Sequence, residues 1–188
     1  MSKKAQAVSQ HVADFVQFSA AEFRRRAREH PSDLSVCTKL YATNQTLLWA
    51  MWKNRVGSAL QEICANLLAC EEVAIVEIEC KTGTIRFVSE KGLLPEKRAA
   101  LIQNTQLLKS RIEPGRAVIP ADGGEDSSAL QALGINAIVP LWASEQSKGA
   151  MLLFQLLPQH TAFDAEDREV LQLLSIYAGP CLRNQNLG

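Results

Sequence analysis

Asn136–Leu157 reads NAIVPLWASEQSKGAMLLFQLL, and the fold turns on this stretch. Two apolar runs flank a polar turn, Ala143–Lys148, and Gly149 opens the second run. That pattern predicts a hairpin of two central strands. In the first run Ala137, Val139 and Leu141 point one way and Ile138, Pro140 and Trp142 the other, so neither face is polar. A strand apolar on both faces has to be covered on both. The remaining chain is therefore expected to supply two covering layers.

With 188 residues and 47% hydrophobic composition, the chain can bury one substantial core and carry an appendage. Lys+Arg and Asp+Glu are 20 each, a balance that points away from nucleic acid and from anionic membrane surfaces as partners. The basic run Arg24-Arg25-Arg26 with Arg28 reads as the solvated face of a helix. The opening MSKKAQAVSQ has positive charge but no apolar run of the signal-peptide kind, and no apolar stretch approaches a membrane span of roughly 20 residues. The five cysteines are odd in number and lack metal-ligand spacing, so reduced thiols in a cytoplasmic protein are the expectation.

Residues 5–29 carry a helical pattern that Pro31 terminates, and Ser32 or Asp33 is placed to cap the next helix. There Leu34, Cys37, Tyr41, Asn44, Leu48 and Met51 follow the 3-4 spacing of a heptad seam. This seam predicts a parallel homodimer through 34–54, with Asn44 setting register; the alternative is that the first helix folds back over it. The apolar stripe then rotates to Trp49, Trp52, Val56, Leu60, Ile63 and Leu67, so one long helix packs on two surfaces or bends near Asn54–Gly57, or else two separate core helices lie here.

A hairpin is expected from Val73–Glu79 and Thr84–Ser89, with Gly83 supplying positive φ in its turn. Pairing Glu79 with Thr84 sets Ile78 opposite Ile85, Val76 opposite Phe87 and Glu77 opposite Arg86, the last as a cross-strand ion pair or the rim of a pocket. Leu94–Ile112 reads as one helix in which the Thr105 hydroxyl bonds back one turn. A short strand Ala117–Pro120, a polar loop carrying Glu125 and Asp126 as solvated carboxylates, and a short helix capped by Ser127 or Ser128 and closed by Gly134 follow. Asp164, with Asp167 three residues on, starts the last helix, which Gly179-Pro180 is expected to kink or end.

From about Val56 to Asn184 this order resembles a GAF domain. The motifs that carry the resemblance are Ala117-Val118-Ile119-Pro120-Ala121-Asp122, Leu133-Gly134-Ile135-Asn136-Ala137, Val139-Pro140-Leu141 followed by Gly149, and Phe163-Asp164-Ala165-Glu166-Asp167. The resemblance implies an α+β fold: an antiparallel sheet flanked by helices, its first and last helices on one face and a small-molecule pocket on the other. Residues 1–55 would form an N-terminal helical dimerisation region and 56–188 the GAF-like domain. It also implies that Phe87, Asp122, Leu130, Asn136 and Met151 surround any ligand. The chain departs from members that attach bilins or bind cyclic nucleotides, whose Cys-His and Asn-Lys…Phe…Asp-Glu sets it lacks. Glu113-Pro114 also replaces the glycine usual before the third strand.

Catalytic motifs of the GxSxG, Walker, HExxH and Rossmann kinds are absent, and His11, His30 and His160 are isolated in sequence. The expected function is a non-enzymatic, stand-alone signalling module that binds a small molecule or a signalling protein partner. A dimerisation scaffold with a vestigial pocket is the alternative. A redox enzyme like the GAF-fold methionine sulfoxide reductases is a third reading, which the lack of a convergent cysteine pair disfavours. Cys80, in a turn, is the thiol expected to be accessible, with Cys64 and Cys181 buried.

Overall fold

The computed structural model describes Lys39, Ala42, Thr43, Thr46, residues 56–158 and residues 160–185, with side chains as far as 179. The helix over 5–29 and the seam residues Leu34, Cys37, Tyr41, Asn44, Leu48 and Met51 lie outside the described residues. Within them the elements run α1 (Val56–Leu67), β1 (Val73–Glu79), β2 (Ile85–Lys91), α2 (Pro95–Gln103), α3 (Thr105–Arg111), a 3-10 turn (Pro120–Asp122), α4 (Ser127–Ala132), β3 (Ala137–Ala143), β4 (Ser147–Leu153) and α5 (Ala165–Gln185). No helix among the described residues is long and apolar enough to cross a membrane.

The four strands form one antiparallel sheet in the order β2-β1-β4-β3. The two-sided apolar pattern has its expected consequence. On one face Val73, Ile75, Val139, Met151 and Leu153 pack with Leu60 and Ile63 of α1 and Val170 and Leu174 of α5. On the other, Val76, Ile78, Ile138, Leu152 and Phe154 pack with Leu101, Leu108 and Leu130 from α2, α3 and α4. Each fully buried leucine or isoleucine in these layers contributes about 1.5–3 kcal/mol of transfer free energy.

Only half of the organising hairpin is central. β4 lies between β1 and β3, whereas β3 is an edge strand, which suits Pro140 because it has no N–H to donate to a second neighbour. The outer side of β3 is covered at one point, where Val118 and Ile138 exchange N–H···O bonds of 2.9 and 2.8 Å. The expected strand Ala117–Pro120 is thus a single bridge, after which Pro120 opens the 3-10 turn.

The hairpin of β1 and β2 has the register read from sequence, with Ile78 opposite Ile85, Val76 opposite Phe87 and Glu77 opposite Arg86. Gly83 sits in its turn at φ +72°. The single helix expected over Leu94–Ile112 is broken at Asn104. There the Asn104 side chain adds a 2.9 Å bond to Ala100 O, which already accepts the Asn104 N–H, and the Thr105 hydroxyl donates to Ile102 O at 2.7 Å, a carbonyl that would continue the ladder. α4 is preceded not by a serine cap but by Asp126 at φ +64°, and Asp126 makes no capping bond with its side chain. Its carboxylate is engaged by Arg111 instead, with Nε at 3.0 Å, so it is no solvated loop charge.

The last helix does not end at Gly179-Pro180. It runs through to Gln185, and Gly179 is the point where it meets β3: a Cβ there would lie 1.5 Å from Leu141 O. Leu141 is the extra residue where the β3–β4 register shifts between Pro140 and Trp142. The bulge and the glycine together let strand and helix backbones touch.

Candidate functional site

The segment that covers the outer edge of β3 also builds a cleft. Ser110 and Arg111 at the end of α3, Glu113, Arg116–Ile119, and Asp122–Glu125 with Ser127 enclose a volume of about 310 Å³. Its first lip is the turn around Pro114-Gly115, and Gly115 adopts φ +74°. Its second lip follows the 3-10 turn, where Gly123 and Gly124 take φ +83° and +111° and carry the chain into α4. Most of the lining is polar or charged, so the cleft suits a polar occupant.

Both lips are held by α5. Arg168 makes a two-pronged ion pair with Asp122, Nη2 to Oδ1 at 2.7 Å and Nη1 to Oδ2. Gln172 donates to Gly115 O at 2.6 Å. Arg168 and Gln172 are four residues apart and therefore share one face of the helix. The Asp122 carboxyl is held below its ordinary range by the hydrogen bonds from Arg168, and Arg168 is raised in turn. Arg111 is raised by Asp126 and Glu125, pairs that brace the base of the cleft.

The five residues expected around a ligand do not converge. Leu130 is fully buried in the α2–α4 layer, and Phe87 packs beside the same layer beneath the Arg98 guanidinium, 4.5 Å from its ring centre. Met151 points to the opposite face, where the Cys64 thiol lies 3.5 Å from its sulfur. The reason is parity: in β4, residues 149, 151 and 153 face α1 and α5, and 150 and 152 face the other way. Asn136 is exposed and donates to Phe154 O. Of the five, Asp122 lines the cleft. Arg111, Arg116, Arg168 and Gln172 escaped the sequence reading. The i, i+4 pair on a surface helix was visible, but its partners lie 46 and 57 residues away.

A second polar cluster sits at the start of α5. Asp167 is fully buried; its Oδ1 accepts from Lys39 Nζ at 3.0 Å, and its Oδ2 meets His160 Nε2 at 2.6 Å and the Asp164 N–H at 3.0 Å. Asp164 Oδ1 accepts the Asp167 N–H at 2.8 Å, completing the reciprocal cap read from sequence. Cys80 and Cys64 differ in access as expected, while the Cys181 side chain lies outside the described residues. Cys80 is half-buried, while burial keeps Cys64 and Cys70 protonated, pushing the Cys70 thiol up to about 11 and Cys64 higher still. Among the described residues, no group of three His, Cys, Asp or Glu could hold a metal ion.

No protein-family model matches the sequence, and no curated protein matches it. Solved structures do. The LBD domain of VqsR from Pseudomonas aeruginosa is 12% identical over 78% of this chain and 96% of its own, with a TM-score of 0.54. Residues 122 to 287 of a methyl-accepting chemotaxis protein are 15% identical over 80% of this chain and 99% of their own, at 0.50. The GAF domain/HD domain protein from Geobacter sulfurreducens is 16% identical over 72% and 94%, at 0.47. At these identities the likeness is one of fold. An antiparallel sheet ordered β2-β1-β4-β3, with first and last helices on one face and the short helices on the other, gives this chain a GAF-like fold.

Proposed function

We propose that the chain is a non-catalytic sensory module that holds a small polar molecule in the cleft of residues 110–127 and passes its occupancy to α5. One observation carries this: both lips of the cleft are bonded to one face of one helix, through Gln172 to Gly115 and Arg168 to Asp122. A ligand that spreads or closes the lips either moves α5 or breaks a bond to it, which is the differential contact a switch needs. The fold likeness to an LBD domain and to part of a chemotaxis protein supports a signalling role. In this proposal the module works in the cytoplasm, with a signalling protein as its downstream partner. Burial of Cys64 and Cys70 supports the non-catalytic reading, because the nucleophile in redox chemistry is the thiolate. Asp122 is retained from the expected ligand set.

Assembly through the seam Leu34, Cys37, Tyr41, Asn44, Leu48 and Met51 belongs to the same proposal, with residues 1–55 as its dimerisation region. At about 100° per residue, Lys39 and Thr43 fall on the helical face opposite that seam. Thr43 is fully buried, and Lys39 pairs with Glu166 and Asp167 at the start of α5. In this proposal the segment docks by the face of Lys39 and Thr43, and the seam meets a second copy. A monomer in sedimentation at micromolar concentration, unchanged by Asn44→Leu, would end the dimer proposal.

A ligand-free dimerisation scaffold is the second reading, favoured by the fully buried Leu101, Leu108, Leu130 and Phe154 that fill the face where the family's pocket is expected. Thermal-shift screening of the chain against polar metabolites, followed by hydrogen exchange on any stabilising compound, separates the two. The sensory reading expects protection across 113–124 together with altered exchange in 165–179. Protection over 94–112 alone, or no stabilising compound, would favour the scaffold.

A further inference from the structure

Five charged side chains line the cleft: Arg111, Glu113, Arg116, Asp122 and Glu125. Three are already engaged, Arg111 with Glu125 and Asp126, and Asp122 with Arg168. Glu113 and Arg116 have no ion-pair partner among the described residues, and they do not pair with each other. They occupy the two ends of a four-residue turn whose middle is Pro114-Gly115. Proline at the first central position and positive φ at the second are the marks of a type II turn, which brings its end residues to within about 7 Å between Cα atoms.

We infer that the cleft selects a small zwitterion of the α-amino-acid type, its carboxylate on Arg116 and its ammonium on Glu113; this rests on the cleft being the ligand site proposed above. An amino acid carries its two charges a few ångströms apart, the scale of that turn. A planar guanidinium matches a carboxylate with paired N–H donors. The two unpaired charges also exclude by repulsion: a simple anion meets Glu113 and a simple cation meets Arg116, so each discriminates against half of a zwitterion's relatives. Ser110 and Ser127 supply hydroxyls, and Ala117, Val118 and Ile119 an apolar wall for a side chain. The turn bearing both charges is the one Gln172 holds at Gly115 O, so its occupant acts directly on the α5 contact.

The test is calorimetric titration of the full chain with each standard amino acid, then with the amide and the N-acetyl derivative of any that binds. At least one free amino acid should bind, and removal of either charge should weaken it tenfold or more, on the order expected when a placed charge loses its partner. Arg116→Gln should shrink the gap between acid and amide, and Glu113→Gln the gap between amine and N-acetyl amine. Both side chains are exposed, so both variants should keep the wild-type circular dichroism. A derivative with one charge or none that binds as tightly as its parent overturns the inference, as do variants with undiminished discrimination, or no binding by any amino acid. If a singly charged or neutral metabolite instead protects residues 113–124 in hydrogen exchange, the zwitterion is excluded and the cleft reading stands. A stabilising compound that protects neither lip overturns both.

Discussion

At the scale of single residues, two glycines in helices ask opposite things of a methyl group. Alanine normally gains about 1 kcal/mol over glycine inside a helix. At Gly57 in α1 nothing lies within 4 Å of the added carbon, so Gly57→Ala should be neutral or raise stability by up to about 1 kcal/mol. At Gly179 the same carbon would fall 1.5 Å from the Leu141 carbonyl oxygen, a backbone atom of β3 that cannot swing aside. Separating helix and strand there should cost about 3 kcal/mol, more than the propensity gain returns. Urea unfolding of both variants checks the pair, and a stable Gly179→Ala would mean that α5 does not touch β3 as described. Thiol mapping tests the same scale. Maleimide at pH 8 should modify Cys80 well before Cys64 and Cys70, whose burial leaves little thiolate. Sequence exposed this difference for Cys80 because a turn residue has little to be buried by. Gly179-Pro180 was expected to kink or end the helix, and the helix does not end there; that Gly179 meets β3 was not legible, since local rules contain no term for a bulge that arrives from 38 residues away in the chain.

At the scale of elements, Asp167 joins three segments. It caps the first turn of α5 through the Asp164 N–H, receives His160 from the preceding loop and receives Lys39 from the N-terminal region. Replacing it by alanine removes a cap worth about 1 kcal/mol. It also breaks a buried charge pair, whose loss costs about 3–5 kcal/mol when the remaining charge stays buried. Lys39 is only partly buried and can turn to water, so about 3 kcal/mol in all is the expected loss for Asp167→Ala. Denaturant unfolding measures that loss, and hydrogen exchange should locate new opening at residues 160–168. A loss below about 1 kcal/mol would show that the ion pairs are not formed in solution. The cap was legible because Asp164 and Asp167 are three apart in sequence, whereas the Lys39 contact spans 128 positions. Element order, the first hairpin and its register were legible for the same reason, each set by a period or a turn within a few residues. The candidate site was mostly not. Its lips come from 113–116 and 122–125, but what makes them a site is α5, and no periodicity links Asp122 to Arg168.

At the scale of the whole molecule, several carboxyls tie separate parts of the fold together and titrate lower than usual. Asp122 is lowered by the Arg168 hydrogen bonds. For Glu77, burial acts to raise it, but hydrogen bonds from Arg86 and Ser147 outweigh this and lower it. Asp164 behaves alike: burial opposes ionisation, and the Asp167 N–H with the nearby Lys39 charge overcomes it. Each is more acidic folded than unfolded, so the unfolded chain binds more protons near the ordinary carboxylate range of about 4. Stability from these groups is fully present above that range and is lost as pH falls through it. The melting temperature, taken at one fixed protein concentration because assembly would shift it, should stay level from about pH 8 to pH 5 and drop steeply below about pH 4.5. Asp122 and Asp164 are both exposed, so each adds little to that drop, and the half-buried Glu77 supplies more. Asp164→Asn isolates one of them. Asparagine caps a helix about as well as aspartate, so stability at pH 7 should change by no more than about 1 kcal/mol. The variant cannot be protonated at that position, and its melting temperature should therefore fall less steeply between pH 5 and pH 3. A profile as steep as the parent's would show that Asp164 has the same acidity in the folded and unfolded chain, and that its cap is not coupled to folding through charge.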